Sequence, residues 1–297
     1  MDTSEKKVAL VTGATGIIGR SLCQVLTSAG WRVVASDRSS EEFASYERIN
    51  GCPVVADSVM PADLASEAAC RKLIADVESS VGPLSLLVNN ATGHTRFCSF
   101  QDTDTEFCHR LLHVDLLAPL FLSQSASASL AANHGSIVNC SSVHVAMPIG
   151  GSPFYRVVKA AVEKLSETMV TELGPKGIRI NTIRIGRISG DAFLRPTLEK
   201  LSPELARELR EEVLLRYLEE KRAQGSGAGE DIANLVAFLA SPQASFIQGA
   251  VIAADGGWPL ETRAPSKAKD SAFSEWSTNP DSALESWLKS RNLHGDT

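Results

Sequence analysis

The chain has 297 residues, 43% hydrophobic and 22% charged, a balance that supports one large α/β domain with a substantial core and excludes a disordered or fibrous protein. A net charge of −6, with no run rich in lysine or arginine, argues against nucleic acid as a general partner. The six cysteines carry no CxxC pair and no histidine partner at metal-ligand spacing, so they read as buried free thiols and no metal site is expected. The opening residues are polar and charged and no stretch reaches the length of a membrane span, so a soluble, cytoplasmic protein is expected.

Apolar runs of strand length alternate with stretches of helical periodicity, beginning at 8–11 and continuing at 32–36, 53–56, 84–89, 136–140, 178–183 and 250–254. The crossovers are long enough to hold helices, which predicts a seven-stranded parallel sheet covered by helices on both faces. Two segments break the rhythm. The charge-rich insertion 191–228 carries Leu194, Leu198, Leu201, Leu205, Leu209, Val213 and Leu214 at steps of mostly three and four, an apolar face that either packs on the core or closes over a ligand, with the glycines from Gly225 to Gly229 as a hinge. The polar tail 261–297, beyond the domain 1–260, carries Trp276 and Trp287 and is either a docking segment or disordered.

The loop after the first strand, Thr12-Gly13-Ala14-Thr15-Gly16-Ile17-Ile18-Gly19, opens a helix, and its glycines allow a tight turn and close approach of a pyrophosphate to the helix N-terminus. Asp37 ends the second strand, where a carboxylate accepts hydrogen bonds from ribose hydroxyls and repels a 2′-phosphate, favouring NAD over NADP; Arg38 beside it is suited to pair with that phosphate. Further on, Tyr155 and Lys159 follow Ser142. On a helix entered after Pro153, positions i and i+4 share a face, so the ammonium lies beside the phenol and favours its ionised form. His94, Arg96 and His144 follow strands four and five and are either recognition groups for an anionic or polyhydroxylated substrate or solvated loop residues.

With the glycine loop, Asp57, Asn89-Asn90-Ala91, Ser142, Tyr155-Arg156-Val157-Val158-Lys159 and Asp255-Gly256-Gly257 taken together, the chain resembles the short-chain dehydrogenase/reductase family over residues 6–258. The resemblance implies a doubly wound Rossmann fold with strand order 3-2-1-4-5-6-7, a dinucleotide across the carboxyl ends of the strands, and a homodimer or homotetramer. It implies that Ser142 hydrogen-bonds the substrate oxygen, that Tyr155 moves its proton, and that Lys159 binds the nicotinamide ribose and lowers the Tyr155 pKa. It places Asp57 at the adenine and the Asn89-Asn90-Ala91 backbone along the adenosine side.

Three positions depart from that family's pattern. Ile17 stands where the single-domain branch has its middle glycine, a TGxxGxxG spacing more typical of sugar-nucleotide epimerases and dehydratases. Asp115 replaces an asparagine that holds a proton-relay water, and as an acceptor-only group it is suited to pair with Lys159. After the sixth strand, Ile185-Gly186 replaces Pro-Gly and no threonine follows; the Ile188 backbone N–H and the Ser189 hydroxyl are the substitutes for nicotinamide contact. Arg184 and Arg187 read either as anion-binding groups at the substrate pocket or as salt-bridge partners of the acidic stretch 204–220. The expected activity is NAD(P)(H)-dependent interconversion of a secondary alcohol and a ketone on a small polar metabolite, anionic or sugar-like. The alternatives are a cofactor-binding homologue with little redox activity and an epimerase or dehydratase that recycles NAD internally.

Overall fold

The computed structural model describes residues 6–50, 53–93, 98–147, 153–189, 195–198, 200–214, 226–260 and 280–291. Seven parallel strands form one sheet in the order β3-β2-β1-β4-β5-β6-β7. They are β1 (Val8–Thr12), β2 (Arg32–Ser36), β3 (Ser58–Val59), β4 (Leu84–Asn89), β5 (Ser136–Ser142), β6 (Arg179–Ile185) and β7 (Val251–Ala254). The crossover helices are α1 (Ile17–Ser28), α2 (Ser40–Asn50), α3 (Glu67–Ser80), α4 (Thr105–Leu111), α5 (Ala118–Ala132) and α6 (Pro153–Leu173), with α9 (Gly229–Ala240) before β7. Among the described residues no helix is long and apolar enough to cross a membrane.

Every residue of β1 and β4 is buried, because helices cover both faces and the side chains alternate between them. Ala9 and Val11 meet Leu22 and Leu26 of α1 and Ile232 and Val236 of α9 on one face. Leu10 and Leu87 meet Ile74 of α3 and Leu122 and Leu130 of α5 on the other. Each fully buried side chain of this size contributes about 1.5–3 kcal/mol. The two helices on the first face cross closely at Gly229, where a Cβ would lie 2.5 Å from Ser21 Oγ and 2.7 Å from Ile17 O.

The third strand differs from the sequence expectation. The run 53–56 does not form it; Ser58 and Val59 do, pairing with Val34 and Ala35 at the sheet edge. Val54 is buried but Val55 is half exposed, so the run does not sit between two covering layers as the inner strands do.

The insertion contains the helices α7 (Arg195–Leu198) and α8 (Pro203–Leu209), followed by a π-helical turn at Arg210–Leu214. α8 packs against α2. Its apolar face is covered by the tail: Ala283, Leu284 and Trp287 of α10 (Pro280–Ser290) are buried against Leu198, Leu201, Ala206 and Leu209. Leu194 and Trp276 lie outside the described residues, as do the side chains of Val213 and Leu214.

Candidate active site

A cleft of about 670 Å³ opens along the carboxyl edge of the sheet, lined by the glycine loop and by residues following β2, β4, β5 and β6. This is the switch point of a doubly wound sheet, where the crossovers from β1 and β4 leave in opposite directions.

The glycine loop is fixed from below. Thr12 Oγ1 donates to Val88 O and accepts the N–H groups of Asn90 and Ala91 at 3.0 and 3.1 Å. Asn90 Nδ2 donates to the carbonyls of Thr12 and Gly13 at 2.8 and 3.2 Å. Gly13 has φ +66°, and a Cβ there would meet Ala91 Cα at 2.9 Å; a Cβ at Gly19 would lie 2.0 Å from Gly13 O. Gly16 caps α1 without a side-chain hydrogen bond. The amides of this first turn, among Ile17, Ile18 and Gly19, are thus not capped by a side chain, which suits the pyrophosphate of a dinucleotide. Ile17 lines the cleft in spite of the altered glycine spacing.

At the end of β2, Asp37 Oδ2 accepts from Thr15 N at 3.0 Å and from Thr15 Oγ1 at 2.8 Å, and Oδ1 accepts from Arg38 N at 2.8 Å. The Arg38 guanidinium is ion-paired with Glu42 one turn along α2. Asp37, Arg38, Thr15 and Ala91 all line the cleft.

Two expected cofactor residues are elsewhere. Asp57 precedes β3 rather than following it, and its Oδ2 accepts from Val33 N at the start of β2, away from the carboxyl edge. Asp63 and Leu64 line the cleft instead. They lie in the loop between β3 and Ser66, the cap of α3. Asn89 is buried beneath the cleft, donating through Nδ2 to Asn139 Oδ1 at 2.7 Å. Arg110 of α4 also lines the cleft and was not singled out from sequence.

At the other end of the cleft Ser142, Tyr155 and Lys159 converge. Pro153 opens α6, a favoured residue at a first helical position, and the i,i+4 spacing sets Lys159 beside the Tyr155 ring, 5.6 Å from its centroid. Ser142 hydrogen-bonds the Tyr155 hydroxyl. Lys159 Nζ donates to Cys140 O at 2.9 Å and pairs with Asp115 Oδ2 at 3.0 Å. Asp115 is brought there by a π-helical segment, Leu112–Leu117, between α4 and α5. Such segments are frequent at functional sites. Its other contacts are Thr92 Oγ1 at 2.8 Å and Gly93 N at 2.6 Å.

Burial works against the Lys159 ammonium, but Asp115 and Tyr155 outweigh it and Lys159 is raised above an ordinary lysine. The expectation that Lys159 favours the ionised phenol holds for that one interaction. Burial pushes Tyr155 up, Lys159 pulls it down and Asp115 pushes it up again, and the balance is upward. His144, outside the cleft lining, sets its ring edge-on to Tyr155 at 5.4 Å; burial, then Arg156, pushes its pKa down.

After β6, Gly186 and Ile188 line the cleft. Gly186 is required where it stands, since a Cβ would be 2.4 Å from Asp255 Cα. Arg187 O and Ser189 N pair with Gly227, a bridge that leaves the Ile188 N–H unused by it. The two arginines are not at the pocket, nor paired with the described part of the acidic stretch. Arg187 lies over the Trp258 ring at 4.3 Å, and Arg184 makes a two-pronged pair with Glu163. His94 and Arg96 lie outside the described residues.

A family model described as Enoyl-(Acyl carrier protein) reductase matches residues 13–259. The 7alpha-hydroxysteroid dehydrogenase of Bacteroides fragilis is 30% identical over 86% of this chain and 96% of its own length. The acetoacetyl-CoA reductase of Rhizobium meliloti is 32% identical over 84% and 98%. Among solved structures, a blue fluorescent protein from a metagenomic library in complex with NADPH superimposes with TM-score 0.66 at 26% identity, covering 85% of this chain and 97% of that one. With the sheet order, the glycine loop and the Ser142, Tyr155 and Lys159 cluster in agreement, the chain belongs to the short-chain dehydrogenase/reductase family of NAD(P)-dependent oxidoreductases.

Proposed function

We propose that the chain interconverts a secondary alcohol and a ketone on a small polar metabolite, with Tyr155 as the acid and base and NAD(H) as the preferred cofactor. The convergence of Ser142, Tyr155 and Lys159 at one end of a dinucleotide-sized cleft carries this reading. When bound, the nicotinamide supplies hydride for reduction and accepts it in oxidation. Ser142 hydrogen-bonds the substrate oxygen, and Tyr155 Oη gives that oxygen its proton in reduction or takes it in oxidation. Lys159 keeps one N–H for the ribose after its bonds to Cys140 O and Asp115. Asp37 takes the adenosine ribose hydroxyls, and its charge, together with the engagement of Arg38 by Glu42, supports NAD over NADP. An anionic substrate has less support, because Arg184 and Arg187 are held by Glu163 and Trp258. A homo-oligomer belongs to the same reading, and Phe246, Phe238 and Val251 are exposed large apolar residues around β7.

Fluorescence titration with NADH and NADPH, followed by a nicotinamide-absorbance screen against polyols, hydroxy acids and ketones, tests it. Turnover with NADH that falls by about 10²–10⁴ in Tyr155→Phe, with NADH binding retained, is expected. Undiminished turnover in Tyr155→Phe overturns it.

A further inference from the structure

We propose that Asp115 compensates the charge of Lys159, so that the Tyr155 phenol keeps its proton through neutral pH and ketone reduction holds its rate until the solution is alkaline. This rests on Tyr155 as the proton donor.

Three donors face the two side-chain oxygens of Asp115. Oδ1 accepts the Gly93 N–H at 2.6 Å, while Oδ2 accepts the Thr92 hydroxyl at 2.8 Å and faces the Lys159 ammonium at 3.0 Å. An amide at this position presents an NH2 group either to the Gly93 N–H or to the ammonium, so neither orientation matches these donors. Asp115 and Lys159 are both almost wholly buried, so solvent screens neither charge.

Among the described residues, the groups facing Tyr155 come from four elements: Lys159 on α6, Asp115 on the π segment, Cys140 and Ser142 on β5, and His144 on the short turn after β5. Burial pushes the Cys140 thiol up to about 11, which keeps it neutral. His144 is moved the other way by burial and Arg156, which also keeps it neutral. Among the described groups that face the ring, Lys159 and Asp115 remain as the two charges, and they are opposite. A lone ammonium beside the ring draws the phenol toward phenolate, whereas a paired one draws it less, and burial then outweighs the remainder and keeps the proton on.

The sign follows directly. Reduction uses the protonated phenol, so its rate is flat at low pH and falls as pH rises through the Tyr155 ionisation. Oxidation uses phenolate and rises toward the same point. Removing the Asp115 charge moves that point to lower pH.

The test is a near-ultraviolet pH titration of cofactor-free protein, taking the spectrum of each protein minus that of its Tyr155→Phe counterpart to isolate one of the chain's three tyrosines. In the wild type Tyr155 is expected to ionise at or above the ordinary value of about 10. In Asp115→Asn the ionisation is expected to fall by about one to three pH units, with the alkaline limb of reduction moving by the same amount. Asp115→Ser, which removes the charge without setting an amide against Gly93, is expected to move it in the same direction. An unmoved ionisation in a folded variant overturns the proposal. So does a wild-type ionisation near neutral pH, whatever the variants do. Failure of the proton-donor reading is distinct, because it shows as undiminished turnover in Tyr155→Phe.

Discussion

Trp287 donates its indole N–H to Glu212 at 3.2 Å, tying the C-terminal helix α10 to the insertion whose apolar face it covers. Arg291 pairs with the same carboxylate and stacks over the Trp287 ring at 4.3 Å. This apolar cluster is separate from the two clusters that flank the sheet. Trp287→Ala is therefore expected to open it locally, at a cost of about 3–5 kcal/mol to the docking, with little effect on the sheet. Hydrogen exchange checks this: Leu198, Leu209 and Leu284 lose protection while Leu10 and Leu87 keep theirs. Equal loss in both regions contradicts an independent docking unit.

Asp37 has two tasks, since the carboxylate assigned to the ribose also holds the Thr15 amide and hydroxyl. Asp37→Ala removes both and loosens the glycine loop, whereas Asp37→Asn keeps an acceptor for Thr15. In Asp37→Asn, NADH affinity is expected to fall about tenfold while NADPH affinity holds or improves. Glu42→Gln releases Arg38 and is expected to improve NADPH binding alone. Equal loss of both cofactors in Asp37→Asn sinks the ribose assignment, and titration of each variant with both cofactors decides.

The inner strands were legible because their apolar runs are packed on both faces; β2 and β4 coincide with the sequence reading to the residue. The edge strand was not, since only Val34 and Ala35 pair with it and one side of the preceding run is open to solvent. That error carried Asp57 to the adenine and hid Asp63. The Tyr155 and Lys159 pair was legible because helical spacing alone sets their shared face. Asp115 was legible as a departure, but its three donors come from Thr92, Gly93 and Lys159 and only the fold brings them together. The partners of Arg184 and Arg187 depend on side-chain reach across elements, which no local pattern encodes.

The glycine loop permits a contrast between two of its glycines. A Cβ at Gly19 lies 2.0 Å from Gly13 O and 2.7 Å from Ala14 Cα, so the loop must move away from α1. At Gly16 the nearest contact is Gly13 O at 3.3 Å. Gly19→Ala is expected to lower stability by about 1–3 kcal/mol and to abolish dinucleotide binding, while Gly16→Ala folds with a loss below about 1 kcal/mol. Thermal melts with and without NADH check both. A Gly19→Ala protein that melts like the wild type contradicts the packing described for the loop.

Glu163 of α6 is buried over β5 and β6, accepting from Ser141 Oγ at 2.7 Å and from Arg184 at 2.7 and 3.1 Å. Glu163→Ala leaves that guanidinium without its carboxylate. Because Arg184 keeps partial access to water, the cost is expected at about 2–3 kcal/mol, below that of breaking a fully buried pair. Glu163→Gln keeps an acceptor and is expected to lose less. Urea denaturation measures the stability, and the same variants bear on the substrate. If the pair is structural, substrate KM changes little in Glu163→Gln; an arginine that binds an anionic substrate instead tightens KM for hydroxy acids when its carboxylate is neutralised.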